Sequence, residues 1–346
     1  MTIERDVMKY DVLIVGGGPA GLSAAIKIKQ IATRENKEIS VCLVEKGAEV
    51  GSHILSGAVI DPVALSELIP DWKEKGAPLN TKVTKDVFNL FSKKRNLKIP
   101  HWLMPPIMSN KQNYIVSLGD LCVWLSKEAE NLGIEIYPGF TAQEPIFNDN
   151  QELVGILTGD MGRDSDGNET VNYAAGIEIR AKYSLIAEGT RGSITKIIEK
   201  KLSLRKNSDP QKYGLGFKEV WRLDKNKHHP GLVEHSLGWP LENDAGGGSF
   251  TYHYGEDLVS LGFVVHLDYS NPYLSPFDEF QSFKTHPKIK NLLAGAKRIS
   301  YGARAINEGG IQSWPELAFP GGVLIGCSAG MVNVPRIKGT HNAMKS

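Results

Sequence analysis

Glycines near the start of the chain are spaced to bind a dinucleotide. The segment GGGPAG supplies Gly16, Gly18 and Gly21 in the G-x-G-x-x-G spacing, with Pro19 and Ala20 between the last two. In this pattern the first glycine permits a tight turn, the second lets a pyrophosphate approach the backbone, and the third lets a helix pack on a strand. The N-terminus of that helix offers free N–H groups and a positive dipole end to phosphate. The spacing therefore predicts a dinucleotide site.

An acidic residue follows at the distance that such a site requires. Glu45 ends the second apolar run, 24 residues after Gly21, and Lys46 comes next. A carboxylate at this position accepts hydrogen bonds from the ribose hydroxyls of an adenosine. The alternative is a glycine-rich turn with a surface glutamate. This part of the pattern does not separate FAD from NAD.

Two later segments separate these cofactors. LIAEGTRG (185–192) contains an apolar strand that ends in Glu188 and Gly189, and GGVLIGCSAG (321–330) contains another that ends at Gly326. Both resemble the later sequence blocks of FAD-binding reductases and hydroxylases, in which the fold returns to the cofactor after its first βαβ unit. An NAD domain does not need these blocks, so the predicted cofactor is FAD.

The end of the chain adds further candidate cofactor contacts. NVPRIKGTHNAMKS places Gly339 and Thr340 at a predicted helix start, where backbone N–H groups can meet the pyrimidine side of a flavin. The alternative is a helix cap without a ligand. Cys327 stands where many related flavoproteins have an acidic residue that binds the ribityl chain. Cys327 is therefore predicted to contact the cofactor, and a small packing residue is the alternative.

Longer blocks resemble one family from about residue 10 to the last residue. The blocks are GSHILSGAV (51–59), DWKEKGAPLNT (71–81), GWPL (238–241), GGSFTYH (247–253), LGFVVHLDYSNPYLSPFDEFQSFKTHP (261–287), YGARAINEGG (301–310) and GCSAGMVNVPRIKGTHNAMKS (326–346). Together they resemble the electron transfer flavoprotein:ubiquinone oxidoreductases. The resemblance implies bound FAD, ubiquinone as electron acceptor and electron transfer flavoprotein as electron donor. It implies chemistry centred on the flavin, with no catalytic side chain.

The resemblance also implies binding roles for individual residues. Gly247 and Gly248 are expected to line the quinone head-group pocket, because a flat ring can lie against backbone that carries no side chains. Asn307 and Thr340 are polar groups expected to hydrogen-bond the flavin and tune its potential. The residues expected to run past the isoalloxazine are His53, Ile54, Leu55, Ser56 and Gly57.

The predicted elements supply an α/β framework for these residues. Apolar runs at 11–15 and 40–44 flank a helical stretch at 20–31, which indicates a βαβ unit. Residues 119–132 are predicted to form an amphipathic helix, with Ser117 as its candidate cap. Beyond residue 210, aromatic and β-branched segments with glycine-rich breaks favour a mostly antiparallel sheet. We expect a discontinuous, Rossmann-like FAD-binding domain of the glutathione-reductase type with an inserted β-rich ubiquinone-binding domain. The expected divisions are FAD-binding segments 1–90, 119–205 and 301–346, a membrane-contact and quinone region 91–118, and the ubiquinone-binding domain 206–300.

Composition and charge exclude several classes of protein. Hydrophobic residues make up 41% and charged residues 23% of the 346 residues, which argues against a disordered chain. The 40 basic and 39 acidic side chains give a net charge of +1, which offers no field for gathering nucleic acid. Cys42, Cys122 and Cys327 lie far apart, so neither a disulfide framework nor a metal site is predicted, and a reducing compartment fits best.

Two stretches are candidates for peripheral, monotopic membrane contact. Residues 50–71 are apolar with few charges, although a core helix explains them equally well. Residues 99–108 place Trp102, Leu103, Met104 and Ile107 among prolines, which favours a membrane-dipping loop. The N-terminus has no recognisable secretory signal or transit peptide. We therefore expect the cytoplasmic face of a bacterial inner membrane, with the matrix face of the mitochondrial inner membrane as the alternative.

One part of the family pattern is missing. Family members continue into a domain whose four cysteines hold a 4Fe-4S cluster, and the ligands of that cluster are absent from this chain, which has three cysteines. We interpret the chain as a truncated sequence or an incomplete gene. Two other functions stay open. One is a flavin-binding remnant or subunit that needs a separate iron-sulfur partner, and the other is an NAD(P)H-dependent FAD hydroxylase or prenyl reductase.

Overall fold

The computed structural model describes residues 5–54, 57–242 and 244–346. Its strands are β1 (Val7–Val15), β2 (Val41–Glu45), β3 (Ala58–Ile60), β4 (Thr81–Lys82), β5 (Lys85–Phe91), β6 (Asn96–Ile99), β7 (Tyr114–Val116), β8 (Glu135–Pro138), β9 (Ala142–Phe147), β10 (Leu153–Thr158), β11 (Met161–Arg163), β12 (Glu169–Ala174), β13 (Glu178–Ile186), β14 (Tyr213–Arg222), β15 (Leu232–Gly238), β16 (Gly247–Tyr254), β17 (Leu258–His266), β18 (Lys297–Asn307), β19 (Ala318–Phe319) and β20 (Gly322–Leu324). Its α-helices are α1 (Pro19–Arg34), α2 (Val63–Leu68), α3 (Leu118–Asn131), α4 (Ser193–Lys201), α5 (Pro276–Thr285), α6 (Pro287–Leu293) and α7 (Thr340–Lys345).

The first sheet is the framework of a dinucleotide-binding fold. Its order is β19-β20-β13-β1-β2-β8, and β10 and β9 extend it from β13. Strands β8, β2, β1, β13 and β20 are parallel to one another. Alternate residues of β1 pack into different clusters, Ile14 with α1 and α3 on one face and Leu13 with α4 on the other. Burial on both faces explains the unbroken apolar runs of these strands.

The carboxyl ends of the parallel strands meet at one edge of this sheet. Val15 pairs with both Val44 and Ile186, and Ile186 pairs with Leu324. The residues that follow these strands in the chain are therefore neighbours, and they include most of the predicted cofactor contacts. Ligands of open parallel sheets bind at this edge. The predicted βαβ unit and its extension by later strands are confirmed.

Two predicted helix starts show why these helices begin where they do. Helix α1 has Pro19 in its first turn, where a residue without an N–H loses no helical hydrogen bond. Helix α3 begins after Ser117, whose Oγ accepts a hydrogen bond from the Asp120 amide at 3.3 Å. The predicted cap at Ser117 is thus confirmed.

The second sheet has the order β18-β14-β17-β16-β15-β5-β6 and is antiparallel except between β15 and β5. Helices α5 and α6 cover one of its faces, where Phe280 and Phe283 pack on Phe263. The mostly antiparallel sheet predicted beyond residue 210 is confirmed. Strands β5 and β6 also join it, so residues 85–99 contribute to this sheet although they precede the first predicted boundary of its domain. The division into domains stays a prediction.

Candidate functional site

Of the three fingerprint glycines in the turn after β1, only one borders space that a ligand could occupy. Gly16 has φ +113°, and a Cβ atom there would lie 2.4 Å from the carbonyl oxygen of Ala187. A Cβ atom at Gly21 would lie 2.0 Å from the carbonyl oxygen of Gly16. At Gly18 a Cβ atom would meet no described atom within 4 Å. Gly16 and Gly21 are therefore required by the fold, whereas Gly18 borders open space, as a pyrophosphate cradle requires.

The start of α1 provides the amides for that cradle. Pro19 and Ala20 form its first residues, its cap at Gly18 makes no side-chain hydrogen bond, and its first turn contains no acidic residue. Nothing negative therefore competes within the helix for its positive end. These features fit the phosphate groups of a dinucleotide.

The carboxylate of Glu45 is fixed against the glycine turn. Its Oε2 accepts a hydrogen bond from the Gly17 amide at 2.8 Å, and its Oε1 accepts one from the Gly47 amide at 2.7 Å. Each oxygen keeps acceptor capacity for a further donor, because an ionised carboxylate has about four acceptor sites. Lys46 is exposed. Glu45 is thus oriented as an acceptor beside the pyrophosphate turn, as the adenosine ribose requires.

Glu188 has a structural partner that the sequence pattern did not indicate. Its Oε1 accepts from the amides of Ser193 at 3.0 Å and Ile194 at 3.4 Å, and its Oε2 accepts from the amide and hydroxyl of Thr195 at 2.8 and 2.6 Å, so all four acceptor sites are used. The side chain therefore caps α4, and any contact of this residue with a cofactor has to use its backbone. Gly189 has φ +86°, and a Cβ atom there would meet nothing within 4 Å.

The last two segments predicted to contact the cofactor meet α1 at the same edge. A Cβ atom at Gly326 would lie 2.8 Å from the Cβ of Ala20, and α7 contacts α1 and starts at Thr340 after Gly339. Burial raises the pKa of the Cys327 thiol to about 11. This thiol is protonated at neutral pH, which fits a packing residue better than a reactive one.

Asn307 ends β18 with an unused acceptor. It is 2% exposed, and its side-chain oxygen has no hydrogen-bond partner among the described residues. A buried acceptor without a partner is costly, and a bound ligand with an N–H group removes that cost. The site therefore fits a flavin on three independent features, namely the open position at Gly18, the oriented Glu45 carboxylate and the unsatisfied Asn307.

The loop after β2 reaches the second sheet. Residues Leu55 and Ser56 lie outside the described residues, while His53 is exposed and Ile54 packs against the core of the first sheet. Gly57 has φ +89°, and a Cβ atom there would lie 2.2 Å from the Cβ of Ser260. Gly57 therefore packs directly against β17.

Two basic residues that the sequence reasoning missed also bind this loop. Lys218 donates to the carbonyl oxygen of Gly57 at 2.8 Å, and Arg304 donates to the carbonyl oxygen of His53. For Lys218 a signal was present, because GLGFKEVW (214–221) places one lysine beside one glutamate in an otherwise apolar segment.

Gly247 and Gly248 begin β16 in the second sheet. Gly247 has φ +149°, and a Cβ atom there would lie 2.1 Å from the carbonyl oxygen of Val264. A Cβ atom at Gly248 would lie 2.9 Å from the carbonyl oxygen of Ser236 and 3.1 Å from Cδ2 of Leu237. Both glycines are half-buried. They make a flat backbone surface, and the structure brings them into the sheet that Gly57 contacts.

The two candidate membrane segments differ in exposure. In residues 50–71, Val50, Ile60 and Leu65 are buried in the core, which favours the core alternative for much of that stretch. In residues 99–108, Trp102 is 81% and Leu103 58% exposed. The prolines there limit the backbone to single 3-10 turns, as predicted. Among the described ranges, none of the helices combines the length and apolar character needed to cross a bilayer.

The described residues contain no ready metal centre. In that part of the chain, His, Cys, Asp and Glu side chains form no group of three or more that is arranged to hold a metal ion. Cys42 and Cys122 are buried, and burial raises the pKa of each thiol to about 12.

Comparison with known sequences agrees with both sheets. The sequence model described as "FAD binding domain" matches residues 11–75, and the model described as "ETF-QO, ubiquinone-binding" matches residues 213–306. Among solved structures, the fold is similar to a geranylgeranyl bacteriochlorophyll reductase-like protein from Thermoplasma acidophilum, with TM-score 0.70, 18% identity and coverage of 98% of this chain and 76% of that one. A triple mutant of a flavin-dependent brominase has TM-score 0.66 at 17% identity, with coverage of 97% and 77%. These two likenesses concern the fold alone.

Relatives of known name are much closer in sequence. The electron transfer flavoprotein-ubiquinone oxidoreductase of Pseudomonas aeruginosa is 56% identical over 346 residues, covering 99% of this chain and 63% of the relative. The mitochondrial enzymes of Dictyostelium discoideum and Homo sapiens are each 54% identical, covering 99% and 100% of this chain and 56% of each relative. The chain thus spans less than two thirds of the length of these relatives. Because the identity extends over essentially all of its residues, the chain belongs to the electron transfer flavoprotein-ubiquinone oxidoreductase family.

Proposed function

We propose that the chain binds FAD and passes electrons from reduced electron transfer flavoprotein to ubiquinone. The observation that carries the proposal is the contact between the two sheets. Gly57, in the loop after the FAD fingerprint, packs against Ser260 of β17, and β17 pairs with the strand that begins at Gly247 and Gly248. A cofactor on the first sheet and a quinone on the second would therefore be neighbours. The names of the relatives that match the whole chain support the same pair of ligands.

In this proposal the chain's residues bind and orient the cofactor. Gly16, Gly18 and Gly21, with Pro19 and Ala20, form the pyrophosphate cradle. Glu45 accepts from the ribose, and Lys46 borders it. FAD, when bound, supplies the acceptance and release of electrons. The residues proposed to lie along the rest of the cofactor are His53, Ile54, Leu55, Ser56, Gly57, the Glu188 backbone, Gly189, Asn307, Gly326, Cys327, Gly339 and Thr340.

A row of exposed leucines supports a quinone with an apolar tail. Leu97 of β6 pairs with Leu90 of β5, and Leu90 pairs with Leu237 of β15. Their exposed fractions are 65%, 44% and 46%. Leu237 lies beside Gly248. An apolar row that runs from the sheet edge to the glycines fits a tailed quinone, because exposed apolar patches usually mark binding surfaces.

The same side of the protein is proposed to contact the membrane. Trp102, Leu103 and Ile107 follow β6, the edge strand that carries Leu97. We propose peripheral contact through this segment, at the cytoplasmic face of a bacterial inner membrane or the matrix face of the mitochondrial one. The sources of the relatives, one bacterial and several mitochondrial, agree with both alternatives.

We propose that electron transfer from electron transfer flavoprotein to the flavin needs a cluster whose ligands lie outside this chain. A 4Fe-4S cluster bound by cysteines takes four thiolates, and this chain has three cysteines, of which two are buried in the core. The ligands of a cluster that accepts electrons from electron transfer flavoprotein would therefore come from residues other than those of this chain. The flavin-to-quinone half of the reaction needs no such cluster and can be tested on this chain.

The test is an anaerobic absorbance trace of the FAD-loaded chain, photoreduced and then mixed with short-tail ubiquinone or with NADP. We expect rapid reoxidation by ubiquinone and none by NADP. Gly248→Ala should slow the quinone reaction about tenfold, because its added methyl would lie 2.9 Å from the Ser236 carbonyl oxygen and 3.1 Å from Leu237 and would force the flat backbone surface to shift. It should leave photoreduction unchanged. Reoxidation by NADP alone would favour the hydroxylase or prenyl reductase function. Reaction with neither would favour a flavin-binding subunit that needs a partner.

A further inference from the structure

Two cations of the second sheet bind the loop that follows the FAD fingerprint. Lys218 of β14 donates from Nζ to the carbonyl oxygen of Gly57 at 2.8 Å, and Arg304 of β18 donates from Nη2 to the carbonyl oxygen of His53. Hydrogen bonds from charged donors are stronger than neutral ones. The loop is therefore attached to the second sheet at two carbonyl groups, four residues apart.

The two cations lie on the same face of the sheet. Lys218 pairs directly with Gly302 of β18, and Arg304 is two residues beyond Gly302. Because side chains alternate between faces along a strand, Arg304 and Lys218 are diagonal neighbours on one face. Gly262 of β17 and Phe250 of β16 continue this row, and the Lys218 ammonium lies 5.7 Å from the centre of the Phe250 ring. The positive charges are thus concentrated where the sheet meets the FAD-binding segment.

An apolar residue could fill position 218 without the free-energy cost of burying a charge. Lys218 is half-buried, and removal from water lowers the pKa of its ammonium group to about 8. Burial of a charge is unfavourable unless the charge has a partner. Among the contacts of Lys218 are the carbonyl oxygen of Gly57 and the ring of Phe250, which are both uncharged groups. These contacts hold the ammonium group, and with it the positive charge, beside Gly57.

We propose that Lys218 and Arg304 are positioning residues for the flavin: they hold Gly57 and His53 on the second sheet, and their positive charge raises the flavin's reduction potential. This inference rests on the proposed function in one respect, the binding of FAD beside this loop. It requires no reaction with ubiquinone. A reduced flavin carries more negative charge than an oxidised one, so nearby cations favour the reduced form.

The experiment compares Lys218→Met, Lys218→Arg and Arg304→Met with Lys212→Met as the control. Lys212 is exposed, precedes β14 directly and pairs with Asp268 at 3.0 Å, so its replacement removes the same charge away from the loop. Two quantities are measured on each protein, the dissociation constant for FAD on the deflavinated chain and the midpoint potential by anaerobic spectroelectrochemical titration.

We expect Lys218→Met and Arg304→Met to bind FAD roughly tenfold more weakly and to shift the midpoint potential in the negative direction. Lys218→Arg keeps the donor and the charge and should keep the wild-type potential. Lys212→Met should match the wild type in both measurements. Because Arg304 is exposed, we expect Arg304→Met to fold. It therefore tests the inference even if Lys218→Met fails to fold.

Several outcomes would overturn the inference. If Lys218→Met and Arg304→Met have the same midpoint potential as Lys212→Met, the two positive charges do not raise the flavin's potential. A lowered potential in Lys218→Arg would contradict the role of charge in the same way. A wild-type chain that binds no FAD would overturn the cofactor assignment and this inference with it. A chain that binds FAD and shows the expected shifts but does not react with ubiquinone would overturn only the electron-transfer proposal.

Discussion

Oε2 of Glu45 accepts a hydrogen bond from the amide of Gly17 at 2.8 Å, which joins the end of β2 to the glycine turn after β1. These residues are 28 positions apart, yet the parallel pairing of β1 and β2 brings them together. The carboxylate is thereby oriented before any ligand arrives, which lowers the entropic cost of binding one.

Glu45→Gln should weaken FAD binding roughly tenfold to hundredfold. The amide loses the charge and presents an N–H group to a backbone donor or to a ribose hydroxyl, and loss of a charged hydrogen bond costs about 1.5–3 kcal/mol. Fluorescence titration of the deflavinated protein with FAD measures the change. Glu49→Gln, at an exposed residue of the next turn, is the control and should bind FAD normally. Equal affinities of the two variants would contradict a role for Glu45 at the ribose.

Two glycine substitutions should separate folding from ligand binding. Gly16→Ala adds a Cβ atom 2.4 Å from a carbonyl oxygen at φ +113°, so we expect the free energy of unfolding to fall by several kcal/mol, on the order of 3. Gly18→Ala adds a Cβ atom in open space at an extended backbone, so the deflavinated protein should keep its thermal midpoint and lose FAD affinity. Thermal unfolding with and without FAD distinguishes them. A destabilised Gly18→Ala apoprotein would count against the cradle.

Trp102→Gln combined with Leu103→Gln should weaken binding to lipid vesicles without lowering the thermal midpoint. Both side chains are exposed, and insertion of each into a bilayer contributes about 1.5–3 kcal/mol, so binding should fall at least tenfold. Cosedimentation with vesicles measures it. Ile311→Gln, at a residue 73% exposed elsewhere on the surface, is the control. Undiminished binding of the double variant would place the membrane contact elsewhere.

Glu308 should make the stability of the protein fall as pH rises towards neutrality. Burial raises the pKa of Glu308 to about 7, and the negative charge of Asp268 adds to the shift. His266 faces the same carboxylate, with Nε2 3.5 Å from Oε2. An unfolded glutamate ionises near pH 4.3, so between that pH and about 7 the unfolded chain releases the proton and the folded chain retains it. The free energy of unfolding therefore falls as pH rises through this window. Below the window, the full stability contribution of protonated Glu308 is retained.

Glu308→Gln removes this titration. We expect the variant to gain roughly 1 to 3 kcal/mol relative to the wild type between pH 5 and pH 8, measured as the free energy of unfolding in urea. Glu316→Gln, at an exposed residue, should show no such trend. If the difference in unfolding free energy between the wild type and Glu308→Gln does not change with pH, the pKa of Glu308 is not raised.

The fold could be predicted where physical patterns are local. The fingerprint glycines, the apolar runs of β1 and β2, and the cap at Ser117 each depend on neighbouring residues, and the structure contains them as predicted. The role of Glu188 could not be predicted, because its carboxylate caps α4 across a turn that the strand pattern does not reveal. Strands β5 and β6 were missed as members of the second sheet, since a parallel pairing of Lys85–Phe91 with Leu232–Gly238 is a long-range event without a local signal.

By itself the sequence determined the kind of site, because a G-x-G-x-x-G turn, a carboxylate at the end of the second strand and family blocks along the whole chain specify chemistry through residue type and spacing. Only the tertiary structure decided which distant groups meet. Lys218 and Arg304 reach the carbonyl oxygens of Gly57 and His53, and the Asn307 oxygen is buried without a described partner. The physical reason is that residue type sets what a side chain can donate or accept, whereas burial and partners depend on how the two sheets pack.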